Sequence, residues 1–139
     1  MSKTRITVST TVAAPRELVW NLWTDPAHVV QWNNASDDWH TPKAENDLRE
    51  GGRFTYTMAA RDGSMSFDFG GEFTKVAPHD LLQFVLDDDR QVEVQFKDSG
   101  EGTEVVETFE AENMNSLELQ EQGWQAILDN FRKHVESQS

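Results

Sequence analysis

The chain has no cysteine among its 139 residues. Disulfide staples, thiolate nucleophiles and cysteine-held metals are all excluded on that ground. Basic residues are also scarce: 12 Lys and Arg stand against 25 Asp and Glu, a formal net charge of −13. Such a surface repels phosphate backbones and anionic headgroups, so neither nucleic acid nor a membrane is expected as a partner. No hydrophobic run approaches the ~18 residues that a bilayer span requires. The start Met1-Ser2-Lys3-Thr4-Arg5 is polar and has no apolar secretion core, so a cytoplasmic, soluble protein is expected. The GxSxG elbow, the P-loop, GxGxxG and HExxH are all missing. His28, His40, His79 and His134 are scattered in sequence. Asp37, Asp38 and His40 make a weak chelating cluster at best, and Asp87-Asp88-Asp89 lacks the spacing of a calcium loop. No metal and no cofactor are expected.

What the chain does have is aromatic rings, five Trp and eight Phe, enough to build a core and to argue against disorder. Its length suits a single domain over residues 1–139. Ile6, Val8, Thr10 and Val12 alternate with polar neighbours and read as a strand. Ala14-Pro15 opens a short helix, with Pro15 at the first helical position and Leu18, Val19, Leu22 and Trp23 on its apolar face. Asp25 caps a second short helix that starts at Pro26 and turns Val29, Val30 and Trp32 inward. Residues 33–48 read as a polar loop carrying Trp39.

From Arg53 to Ala111 the pattern is β. Phe54, Tyr56 and Met58 alternate with polar residues, and Asp62-Gly63 marks a hairpin. Phe67, Phe69, Gly71 and Phe73 share a strand face. Ala77-Pro78-His79-Asp80 is a turn, followed by a strand of Leu82, Phe84 and Leu86. Asp87-Asp88-Asp89 turns again, and Val92, Val94 and Phe96 alternate along the next strand. After the turn Ser99-Gly100-Glu101-Gly102, the residues Val105, Glu107 and Phe109 share the inner face of the last strand. Asn115 then caps a long helix, with Glu118 as its capping-box partner. Leu117, Trp124, Ile127, Leu128, Phe131 and Val135 form that helix's apolar stripe. A strand, two short helices, a meander of about six strands and one long helix make an α+β fold, with the helix on one face of an antiparallel sheet.

In order and spacing these residues resemble a known family. Ala14-Pro15-Arg16-Glu17-Leu18-Val19-Trp20, Thr24-Asp25-Pro26 and Trp32 resemble the opening of the Hsp90-ATPase-activator-like domains of the START-like, Bet v 1-like superfamily. Further along, Glu50-Gly51-Gly52-Arg53-Phe54, Gly70-Gly71-Glu72-Phe73, Pro78-His79-Asp80-Leu81-Leu82, Gly102-Thr103-Glu104-Val105 and Gly123-Trp124 with Leu128 continue the likeness. It covers Ile6 to about Val135. The resemblance implies a helix-grip fold, a curved antiparallel sheet wrapped around the C-terminal helix with a cavity between them. Domains of this shape bind lipids, polyketides or flavonoid-like aromatics, and some are cyclases or hydrolases. In the co-chaperone that names the family this domain is only the C-terminal half, so an Hsp90 interaction is not expected of this chain.

Binding of a small apolar molecule, lipid-like or aromatic and polyketide-like, is the leading expectation. The expected cavity residues are Trp32, Trp39, Phe54, Tyr56, Phe67, Phe69, Phe73, Phe84, Phe96, Trp124, Ile127, Leu128 and Phe131, although stripes of this kind more often fill a solid core. A glycine inside the long helix, Gly123, costs ~1 kcal/mol relative to alanine, which fits either a close approach to the sheet or room for a ligand. Glu107, placed inward by strand parity, must be paired or protonated. It could anchor a ligand or act as a base, or it could be held structurally by Trp39, Tyr56 or Arg53. The segment Trp32-Asn33-Asn34-Ala35-Ser36-Asp37-Asp38-Trp39-His40 suits the rim of a cavity mouth. Two other readings stay open. One is a cyclase- or hydrolase-type enzyme with Glu107 or His40 as base and Tyr56 as acid. The other is a protein-interaction module, chaperone-linked or self-associating. A monomer or weak homodimer is expected.

Overall fold

The computed structural model describes residues 4–100 and 102–138. Residues 1–3, in the expected polar start, and Glu101, in the expected fourth β turn, lie outside them. The elements run β1 (Arg5–Val12), α1 (Arg16–Thr24), α2 (Pro26–Trp32), β2 (Trp39–Asn46), β3 (Arg53–Ala60), β4 (Ser66–Ala77), β5 (Leu81–Leu86), β6 (Gln91–Ser99), β7 (Gly102–Glu110) and α3 (Leu117–Gln138). The seven strands form one antiparallel sheet in the order β1-β7-β6-β5-β4-β3-β2. Only β1 is out of sequence order. It crosses over to close the sheet against β7, with Ile6 opposite Phe109 and Val8 opposite Glu107.

Alternation dictates which side chains reach the interior. On β7, Thr103, Val105, Glu107 and Phe109 are buried while their neighbours are half-exposed. At β4 the pair Gly70-Gly71 lies close against both neighbouring strands. A Cβ at Gly71 would stand 2.3 Å from the Val85 carbonyl oxygen, so only glycine permits β5 to approach so closely there. The sheet curls, and α3 lies in its concave face along β1. The Gln125 side chain donates to the Ser9 carbonyl at 3.0 Å, and the Ala13 N–H donates to Glu136 at 3.0 Å.

The two short helices plug one end. Trp32 Nε1 donates to the Leu22 carbonyl at 3.1 Å, and Asn46 Nδ2 donates to the Thr24 carbonyl at 2.7 Å. Under them sits a solid core in which Trp23 meets Phe131 and Trp32 at ring separations of 4.8 and 5.0 Å. Val12, Val19, Phe96, Leu128, Phe131 and Val135 are fully buried around these rings.

Six local expectations are corrected. The segment expected to be a polar loop, residues 33–48, contains β2, an edge strand with a register shift between His40 and Lys43 around Pro42. An edge strand tolerates a proline and polar side chains, so it carries little periodic signal. Pro15 caps α1 from an extended conformation (ψ 154°) instead of occupying its first turn. Asn115 does not cap α3. Its backbone and side-chain amides both donate to Glu112, and the Ser116 hydroxyl accepts the Leu119 N–H at 3.1 Å as the cap. Glu118 then falls outside a capping box and accepts from Gln122 at 3.4 Å. Leu117, one residue past that cap, faces solvent, and the buried position of the first turns is Gln120. Val30 is half-buried while Val29 and Trp32 are fully inside. Asp25 caps α2 as expected, accepting the Ala27 N–H at 3.0 Å.

Candidate functional site

α3 touches the sheet firmly along only part of its length. Trp124 stacks flat on Phe109, ring centroids 3.8 Å apart and planes 9° from parallel. Beyond that stack, β3, β4 and β5 curl away from the helix and leave a cavity of about 370 Å³. Its walls are mainly rings: Phe54 and Tyr56 from β3, Phe67, Phe69 and Phe73 from β4, Phe84 from β5, and Trp124 from α3. Phe54 sits at the hub, with ring separations of 5.1 Å to Tyr56, 5.3 Å to Phe73 and 5.0 Å to Phe84. Trp23, Trp32 and Asn33, all buried, close the end beneath the short helices, and the exposed Ala35 lines the space from the segment after α2. Phe67 and Leu119, 47% and 56% exposed, also line the cavity, which places its mouth between the β3–β4 hairpin and the start of α3.

Gly123 settles the question its sequence position raised. Nothing lies within 4 Å of where its Cβ would stand, and the residue lines the cavity. The glycine therefore keeps space open and does not serve a close helix–sheet contact.

Among the described residues Glu107 is the one acidic side chain buried in the core, 6% exposed, and it lines the cavity. Among the described residues no donor or cation reaches it. Burial with no compensating partner pushes its carboxyl up to about 8, so at neutral pH the resting group is mostly the neutral acid. The structural partners the sequence allowed are all engaged elsewhere. Arg53 forms an ion pair with Asp87 on the outer surface. The Tyr56 hydroxyl is buried beside Asn46, and burial outweighs that polar neighbour to push it up to about 12. Trp39 packs edge-on against Phe67 at 5.9 Å.

Of the remaining expected cavity residues, Trp32 and Ile127 line the space, whereas Phe96, Leu128 and Phe131 belong to the solid core. Trp39 and His40 stand on β2 outside the cavity lining, so His40 is not brought to Glu107. Met58, Leu82, Arg90, Glu112, Asn115 and Gln120 line it without having been singled out as cavity residues. Gln120 could have been found, because it lies one turn before Trp124 on the same helical face. It holds the entry to α3, accepting the Glu112 N–H at 2.9 Å and donating to the Asn115 carbonyl at 2.9 Å. Arg90 gave no sequence signal. It lines the cavity with its guanidinium paired to Asp88 at 2.8 Å.

The histidines are less scattered than their spacing implies. His28 Nδ1 and His134 Nε2 are 2.9 Å apart, joining α2 to α3. Burial first, and then the charge of His28, lower the pKa of His134. Among the described residues, no three His, Asp or Glu side chains converge into a metal site, and no helix is long and apolar enough to cross a membrane.

A curled antiparallel sheet closed on one C-terminal helix, with an aromatic cavity between them, defines a helix-grip protein of the START-like, Bet v 1-like fold. The chain belongs to the family described as Activator of Hsp90 ATPase homolog 1-like protein, which it matches over residues 13–136. It is similar to the AHSA1-like protein from Aeromonas hydrophila, with 47% identity, 97% of this chain and 94% of that chain covered, and a TM-score of 0.92. A protein from Cytophaga hutchinsonii is 49% identical, with 96% and 93% of the two chains covered and a TM-score of 0.83. One from Chromobacterium violaceum, 19% identical with 96% and 98% covered, shares the fold at a TM-score of 0.84. Among curated proteins, none matches the chain.

Proposed function

We propose that this protein binds a small hydrophobic molecule, lipid-like or aromatic and polyketide-like, in the cavity between β3–β5 and α3. The single observation that carries this reading is an unfilled space of about 370 Å³ walled by aromatic rings. That volume falls within the ~300–1,000 Å³ usual for small-molecule sites. A concave, ring-walled space of this size with a mouth to solvent is the usual form of a small-molecule site. Aromatic walls supply burial, while Glu107, Asn33 and Gln120 offer polar contacts to orient a ligand. The acidic composition favours partners other than nucleic acid, and the absence of cysteine suits the cytoplasm.

Ligand that binds only the folded state stabilises it by mass action, ~2.7 kcal/mol at a hundredfold excess over Kd. A library of one- to three-ring aromatics and medium-chain lipids should contain compounds that raise the melting temperature and quench Trp124 emission together. If no compound in such a library does either, the binding reading is wrong.

One observation favours a second reading, an enzyme of cyclase or hydrolase type. A cavity carboxyl at about 8 is poised to give or take a proton near neutral pH. Under that reading Glu107→Gln abolishes turnover and leaves ligand affinity nearly intact.

A further inference from the structure

Glu107 lies in apolar surroundings. Val8 stands opposite it on β1 and Val94 on β6, with Val105 and Phe109 two residues away on the same face of β7. Phe109 carries the stacked ring of Trp124. The other ionisable groups that line the cavity are already engaged. Arg90, from the β5–β6 turn, is held by Asp88, Glu112 accepts two hydrogen bonds from Asn115, and Tyr56 on β3 is kept neutral by burial. α3 turns Gln120, Gly123, Trp124 and Ile127 toward the space, none of them charged.

A neutral hydrogen-bonding role in such a place could be filled by glutamine or serine without the cost of burying an acid. What glutamate adds is the capacity to carry a negative charge. A charge in a low-dielectric cavity is best met by an opposite charge, because the Coulomb term there is several times its value in water. The walls favour the same sign of ligand, since the faces of Phe and Trp rings attract cations. The field of a chain with net charge −13 also draws cations toward the mouth.

We infer that the cavity selects a cationic amphiphile, a protonated amine on an aromatic or aliphatic body, with Glu107 as counter-ion to the ammonium and the surrounding rings as its apolar cage. The inference rests on the binding reading above and names the ligand class for that same site. When the amine enters as its ammonium form, the neutral Glu107 acid gives up its proton to solvent. The bound pair is then carboxylate and ammonium, and one proton leaves for each ligand bound.

Three probes of one shape test this: naphthylmethylamine, naphthylmethanol and acetonaphthone. Their affinities for the wild-type protein and for Glu107→Gln are measured at neutral pH by titration calorimetry in two buffers of different ionisation enthalpy. The melting curve of Glu107→Gln verifies that the variant is folded. The amine should bind the wild type at least about tenfold more tightly than the alcohol and release close to one proton. In Glu107→Gln that preference should fall to near unity. Equal affinities for amine and alcohol, or a preference for the ketone that fades at alkaline pH, would overturn the ammonium inference while leaving the binding reading intact. A preference that persists in Glu107→Gln would overturn the role of Glu107. If none of the three binds but other apolar compounds do, the ligand class is wrong. If nothing apolar binds at all, the binding reading fails and this inference fails with it.

Discussion

At Glu107 the electrostatics have a measurable consequence for stability. Its folded-state carboxyl sits at about 8 against an ordinary value of 4.5, so the folded protein holds the proton more tightly than the unfolded chain does. The stabilising effect of that proton is fully present below pH ~4.5 and is lost as pH rises through ~8, at up to ~1.4 kcal/mol per pH unit between the two values. Glu107→Gln removes the titration. Denaturation curves from pH 5 to 8.5 should show the variant losing less stability than wild type and ending as the more stable of the two at the alkaline limit. Parallel pH profiles would mean that water or a bound partner solvates the carboxylate. Phe131 is the contrasting residue. It is fully buried and touches Trp23 and Trp32 at 4.8 Å each. Phe131→Ala should cost about 3–5 kcal/mol, the usual price of deleting a packed ring, and a chemical denaturation midpoint shift worth under ~1 kcal/mol would contradict that packing.

Among the elements, α3 combines two jobs that its sequence keeps apart. Its C-terminal half carries the fully buried Leu128, Phe131 and Val135 into the solid core. Its N-terminal half presents Gln120, Gly123 and Trp124 to open space. Gly123→Ala should therefore raise stability by ~0.5–1 kcal/mol, because helix propensity improves and the new methyl meets no neighbour within 4 Å. Gly123→Leu should leave the fold intact, since the added side chain points into the cavity, and should weaken any cavity ligand by an order of magnitude or more. Melting and binding measured on the two variants separate space-keeping from packing. A destabilised Gly123→Ala would place the helix closer to the sheet than it stands here.

For the whole molecule the dominant feature is acidity. With 25 acidic against 12 basic residues, no basic face is available to neutralise a phosphate backbone. Random duplex DNA and single-stranded RNA should give no binding at physiological salt in a fluorescence anisotropy titration, and micromolar, salt-sensitive binding would contradict this. The same charge acts on the proposed ligand in the opposite sense. Association of a cationic amphiphile should slow as ionic strength rises, since steering by the net field is screened beyond ~8–10 Å.

Much of this architecture could be read from the chain alone. Period-two alternation placed β1 and β3 to β7, Asp25-Pro26 marked the start of α2, and parity on β7 put Glu107 inside, because these signals are local and depend only on neighbours in sequence. β2 was illegible, since an edge strand interrupted at Pro42 buries little and so needs no alternation. The cap of α3 went to Ser116 in place of Asn115 because Glu112, three residues back, captures both Asn115 amides. The division of the aromatics was likewise hidden. Phe54, Phe69 and Phe84 border empty space while Phe96 and Phe131 fill a core, yet all five stand at equivalent positions in their local patterns. What separates them is how far the sheet curls away from α3 beyond the Trp124–Phe109 stack. Local sequence could decide that these side chains point inward. Only the packing of sheet against helix could decide whether they meet other side chains or a cavity.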